Sequence, residues 1–265
     1  MAKISSALSC LPPFVFAVLA FAFTIVAITS RDWAQQNHYD PSLDMKDWKT
    51  PIYTIYRAPF KICEVSNSAN STTYTLHCNT FKSHGFDKTS CETVFATQNY
   101  SNANTGDARL CEQIHFAGNL SITSTTFISL GFLLTLIMTV VSFVYASTTS
   151  KDEATSTPTA TPDYHSPSYT PYINFFLITS LAIGAVTGIL AQFYGIVGFI
   201  QSQPSNGAWA SARGNVIDPT QDNAAGPWVE GKALRAWITC AWIFSALAAG
   251  AAGAVWRLPV WEKVA

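Results

Sequence analysis

The residues of this chain that invite chemistry are its six cysteines, its five histidines and its Asn-x-Ser/Thr triplets. Cys63, Cys78, Cys91 and Cys111 fall between the first two apolar stretches, and so do the triplets that begin at Asn70, Asn99 and Asn119. Disulfides persist outside the cytosol, and such triplets accept N-glycans on surface loops of secreted segments. Both features put the segment on the outer side of a membrane. Asn119 stands too close to the following apolar stretch to be a good acceptor, which leaves Asn70 and Asn99 as the candidate glycosylation sites.

The cysteines also fall on a strand pattern. Tyr74, Leu76 and Cys78 alternate with Thr73, Thr75 and His77, the period of a half-buried strand. A polar Ser66–Thr72 turn separates this run from Ile62–Val65, so the two runs read as a hairpin, and Pro51–Val65, rich in Tyr, Ile and Phe, reads as one or two strands. Four cysteines allow three connectivities. The hairpin favours Cys63–Cys78, with Cys91–Cys111 beyond it. Closing a loop of about fifteen residues is worth roughly 3 kcal/mol in the chain-entropy model.

Other chemistry finds less to work with. The cysteine spacings are wide and no Cys-x-x-Cys occurs, so no metal site is expected. Asp40, Asp44 and Asp47 are spaced too sparsely for calcium and read as solvated surface. His38, His77, His84 and His115 lie in the outer segment and His165 elsewhere, without a Gly-x-Ser-x-Gly elbow, a His-Glu-x-x-His helix or a phosphate loop. The reading is non-enzymatic, with no catalytic residue and no cofactor. His77 and His115 remain as candidate pH reporters. A net charge of −1 without a basic run excludes nucleic acid as a partner.

The elements that position these residues follow from where charge is missing. Only 12% of residues are charged and 49% are hydrophobic, and four uncharged gaps are long enough for a bilayer, which takes about 20 apolar residues. The expected order is a cytoplasmic N-terminus (1–10), a first span (11–30), outer loop 1 (31–121), a second span (122–147) and a cytoplasmic loop (148–171). A third span (172–200), outer loop 2 (201–235), a fourth span (236–256) and a cytoplasmic tail (257–265) complete it. The first span is long for a cleaved signal and is read as retained. Basic residues near the span ends are almost evenly divided between the two sides, so the cysteines and triplets set the orientation. The fold class is an all-α membrane protein, a four-helix transmembrane bundle with a small disulfide-stapled β-rich extracellular domain in loop 1.

Inside the spans, Gly184-x3-Gly188 and the small residues around Gly250 and Gly253 are helix-packing candidates, chiefly within the bundle and secondarily between copies. No span contains a charged residue, which argues against an ion-coupled transporter. Cys10 is a palmitoylation candidate at the start of the first span, and Cys240 is a small apolar residue. The cytoplasmic loop is rich in Ser, Thr and Pro and reads as a linker. Loop 2 reads as irregular, with Trp209 and Trp228 at the membrane interface.

Four spans with the large cysteine-bearing loop first resemble the claudin-like superfamily of tetraspan proteins. That family carries a tryptophan soon after its first span and a Gly-Leu-Trp-x-x-Cys motif followed by a second cysteine. Here Trp33 follows the first span, Phe60-Lys61-Ile62-Cys63 puts an aromatic three residues before a cysteine, Cys78 follows, and Arg109 precedes the second span. Ala58-Pro59-Phe60 replaces the Gly-Leu-Trp triplet and loop 1 is longer, so the chain is more similar to the divergent fungal Sur-type and PalI-type plasma-membrane proteins. The resemblance implies a plasma-membrane protein that organises membrane domains or cell-surface contacts through loop 1. The expected partners are the lipid bilayer and further copies or other membrane proteins, met through loop 1 and the third and fourth spans. A channel or channel-regulating subunit, for calcium among others, and a surface sensor are the alternatives.

Overall fold

A computed structural model describes residues 10–39, 51, 53–67, 74–80, 105–152, 170–202 and 224–256. Its helices are α1 (Leu11–Thr29), α2 (Thr105–Asp152), α3 (Thr170–Ser202) and α4 (Ile238–Trp256), the last preceded by a π-helical turn, Ala233–Trp237. All four are long and apolar enough to cross a bilayer. Proline opens two of them, at Pro12-Pro13 and Pro171, where the first-turn N–H groups have no helical partner to lose.

Each helix buries one stripe at alternating intervals of three and four residues. In α1 the stripe begins at Cys10 and continues through Pro13, Ala17, Ala20, Thr24 and Ala27. In α3 it is Leu177, Leu181, Gly184, Gly188, Ala191 and Gly195, and Leu234, Ile238, Ala241, Ser245 and Ala248 continue the same rhythm into α4. This spacing is the seam of helices that pack at shallow angles. The buried side chains are mostly small or hydroxylated, whereas Leu133, Ile137, Val140, Phe176, Val186 and Phe193 are exposed. A fold built in water does the reverse. Helices whose solvent is hydrocarbon gain nothing by hiding large apolar groups and pack through small ones. The pattern is consistent with a multi-pass membrane protein.

The chain divides into two compact units, each drawing on all four helices. The first comprises residues 1–25, 122–188 and 240–265. Its core is Ala17, Leu177, Leu181 and Ala248, with Phe16, Phe132, Ile178 and Ala252 packed around them. Phe14 and Phe21, two turns apart on α1, stack on Phe132 of α2 at centroid distances of 6.1 and 5.3 Å. Phe16 and Phe23 stack in the same way on Phe244 of α4, at 6.2 and 5.6 Å. Two serines grip α3: Ser124 Oγ donates to the Gly184 carbonyl (2.7 Å), and Ser245 Oγ donates to the Leu181 carbonyl (2.8 Å).

The second unit comprises residues 26–121 and 189–239. It contains a five-stranded antiparallel sheet of β1 (Ala34–Tyr39), β2 (Tyr53–Ala58), β3 (Lys61–Asn67), β4 (Tyr74–Thr80) and β5 (Ala224–Glu230), in the order β4-β3-β2-β1-β5. The expected hairpin is β3–β4, and Cys63 stands directly opposite Cys78. Pro51–Val65 gives two strands, β2 and β3, joined by the two-residue turn Pro59-Phe60. Two findings differ from the sequence reading. Loop 2 is not irregular throughout, because its Ala224–Glu230 stretch pairs with β1 as the other edge of the sheet. Helix α2 begins at Thr105 instead of near 122, because Ile114, Ala117 and Ser121 continue the buried rhythm of Ser124 and Ile128 upstream of the apolar stretch.

Candidate interaction surface at the sheet and the helix ends

The sheet is secured where the helices of its own unit end. A helix C-terminus leaves four carbonyls unsatisfied, and α1 solves this with residues from the sheet. Trp33, fully buried, donates its indole N–H to the Ala27 carbonyl (2.8 Å). Lys61 Nζ donates to the Thr29 carbonyl (2.8 Å), a cation at the negative end of the helix dipole. The Ser30 N–H satisfies Val26 (3.0 Å). A tryptophan placed soon after the first span therefore caps that span, and its own backbone bonds Arg57 of β2 and Gly231 beyond β5.

The entrance to α4 is capped across the chain. The Asp32 carboxylate accepts the Lys232 N–H through Oδ2 (3.2 Å), and its backbone carbonyl accepts the Ala233 N–H (2.8 Å). Asp32 thus takes up N–H groups at the start of a helix two hundred residues later in the chain. Gly231 permits this approach, since a Cβ there would overlap the Asp32 carbonyl and carboxylate. The π turn that follows is stitched by side chains. Thr239 Oγ1 donates to the Arg235 carbonyl (2.8 Å) and receives Gln192 Nε2 (2.6 Å).

The β2–β3 turn docks on α2. His115 Nδ1 lies 3.1 Å from the Pro59 carbonyl, its ring meets Phe60 edge-on at 5.6 Å, and Gly118 leaves the space that Pro59 and Phe60 fill. The Ala58-Pro59-Phe60 segment that stands at the place of Gly-Leu-Trp in the resemblance is this docking turn. His115 acts in it as a packing and hydrogen-bonding residue.

Both faces of the sheet carry buried side chains, Thr54, Ala58 and Cys63 among them on the face of Tyr56. Ala34 and Arg57 point to one face and are both buried. The register places Cys78, Cys63, Tyr56, Gln35 and Val229 in one row on the other face, which Leu76 shares. There Val229 is 47% and Leu76 49% exposed, and the Arg31 guanidinium lies 5.2 Å from the Tyr56 ring centroid. The Cys63–Cys78 disulfide crosses this face, with Cys63 buried and Cys78 exposed, and ties the edge strand β4 to β3.

The remaining sequence candidates divide three ways. Gly184 and Gly188 are close-packing positions: a Cβ on Gly184 would stand 2.6 Å from Ile128 Cγ1, and one on Gly188 would stand 3.0 Å from Trp242 Cβ. Gly131, against Leu181, belongs with them and was missed, since it stands alone without an x3 partner glycine. Gly250 is exposed with nothing within 4 Å, and Gly253 only reaches Ile178 at 4.0 Å, so neither makes a close helix approach within the chain. Cys10 is buried, with Sγ 3.7 Å from Ser142 Oγ. It also lines, with Thr135, Thr139 and Asn174, a small cavity of about 40 Å³ inside the first unit. Asn70, Asn99 and Cys91 lie outside the described residues, as does the side chain of Cys111, which sits in α2. Among the described residues no cluster of three His, Cys, Asp or Glu side chains is placed to hold a metal.

In comparisons with known proteins, no family model and no curated protein matches the chain.

Proposed function

We propose that this chain is a non-enzymatic plasma-membrane protein of the claudin-like kind, with both termini in the cytoplasm. Its outer sheet would make lateral or cell-surface contacts that organise the membrane around it. The observation that carries the reading is a sheet assembled from both inter-span segments, locked by a disulfide and tied to the end of α1, the start of α4 and the flank of α2. Such a platform is preorganised, and preorganisation lowers the ordering cost of binding. One of its faces presents Leu76 and Val229 half exposed beside Tyr56. The buried hydroxyls Ser124 and Ser245 are engaged with α3 carbonyls, which suits a packed bundle more than a polar conduction path.

The test is a photocrosslinking amino acid at Leu76 or Val229, activated in the native membrane. Discrete adducts with a second copy or another membrane protein support the proposal. A chain that yields none from either position, while assembling normally, refutes it.

A further inference from the structure

Strand β5 is joined to the sheet only through β1, and that ladder shifts register between Gln36 and His38. Its last residue, Glu230, is opposite Ala34, which in turn is opposite Arg57, so the three share one row and one face. Asp32 meets the chain just beyond Glu230, its carbonyl and carboxylate lying against Gly231. Arg235, in the π turn beyond Gly231, acts on Glu230 through its charge. Charged groups thus cluster at the end of β5: Glu230 with Arg57 in its row, Arg235 acting on it through charge, and Asp32 against Gly231.

This gathering leaves acceptors over. Glu230 Oε1 and Asp32 Oδ1 are both withdrawn from solvent, and neither has a hydrogen-bond partner among the described residues. An ionised carboxylate oxygen in that position has given up water without replacement, whereas a protonated carboxyl becomes a donor and loses its charge. We propose that Glu230 is a proton-operated latch: β5 seats fully on β1 when this carboxyl is protonated and loosens when it is charged.

Burial pushes the Glu230 carboxyl above its usual range, and the opposing pull of Arg235 does not cancel it. A carboxyl raised in the folded state favours that state below its unfolded value, and the gain is lost as pH rises through the folded value. Acid therefore tightens β5, and with it the Gly231–Trp33 bond and the Asp32 cap that follow on the same chain. The inference concerns the seating of the strand and does not depend on the sheet's making contacts.

The experiment is hydrogen exchange on the full chain in zwitterionic nanodiscs, corrected for intrinsic rates, with the pH lowered from about 7.5 to about 5. In the wild type the protection of the β5 amides is expected to rise, while the disulfide-locked β3–β4 amides stay constant. Glu230→Gln should hold β5 protected at both pH values, and Arg235→Gln should move the wild-type response to higher pH. A flat wild-type profile, protection that falls in acid, or an unchanged response in Glu230→Gln overturns the latch. The wild-type profile alone decides the sign if a variant does not assemble.

Discussion

Substituting Gly184 with alanine asks the bundle for room it does not have. The new methyl would stand 2.6 Å from Ile128 Cγ1, 3.3 Å from the Ile128 backbone nitrogen and 3.4 Å from the Ser124 carbonyl oxygen. Rotating Ile128 relieves only the first contact, so α2 and α3 must move apart. Separation stretches the 2.7 Å bond from Ser124 Oγ to the Gly184 carbonyl. Overpacking of this kind costs about 1–3 kcal/mol, and an interhelical hydrogen bond in a membrane protein contributes about 0.6 kcal/mol. Against this stands a helix-propensity gain of up to about 1 kcal/mol for replacing glycine with alanine. The net expectation is a loss of about 0.5–2.5 kcal/mol. Gly250→Ala is the matched control: with nothing within 4 Å of the new methyl, only the propensity gain remains. Reversible unfolding in mixed micelles, titrated with a denaturing detergent, reads both variants. Equal effects would refute the packing argument. A Gly250→Ala loss larger than that of Gly184→Ala would refute it too and place the tight contact between chains.

Four further outcomes follow from the helix ends and the sheet. Trp33→Phe shrinks the buried ring and leaves the Ala27 carbonyl unpaired, which should lower stability by at least about 1–3 kcal/mol in the same titration. Asp32→Ala removes the cap of the last helix and should cost about 1 kcal/mol, whereas Asp32→Asn should recover most of it, as thermal melts would show. Gly231→Ala overlaps the Asp32 backbone and should reduce the yield of folded protein more than either, measured by monodisperse recovery after extraction. Replacing Cys63 and Cys78 together with serine opens a loop of 15 residues' separation and should cost roughly 3 kcal/mol, read from the loss of β structure on heating with the helices intact.

What the sequence revealed depended on whether the signal was local. The spans are legible because hydrocarbon demands long uncharged runs, and the β3–β4 hairpin because alternation at Tyr74–Cys78 needs no distant partner. Cys63–Cys78 follows from that hairpin. Strands β1 and β5 were not legible. Ala34–Tyr39 is polar and shows no alternation, Ala224–Glu230 contains a Gly-Pro pair that reads as a turn, and the two pair across most of the chain. Proline is tolerated there because β5 is an edge strand. The early start of α2 was hidden by charged residues such as Asp107 and Arg109, which end an apolar run but not a helix. The cap of α4 by Asp32 has no sequence signature, since a capping residue is normally sought immediately before its helix. Glycines divided by context: Gly184 and Gly188 face a neighbouring helix, while Gly250, of the same type and in an equally small-residue stretch, faces outward.

The sheet's position outside the cell is the claim on which the functional account stands, and a single cysteine tests it most directly. Val229→Cys places a thiol at a position 47% exposed in the native side chain, while among the described residues the free thiols Cys10 and Cys240 are buried and half-buried. A membrane-impermeant maleimide applied to intact cells should label the variant above the wild-type background. Labelling that appears only after the membrane is permeabilised would put the sheet in the cytosol and contradict the account.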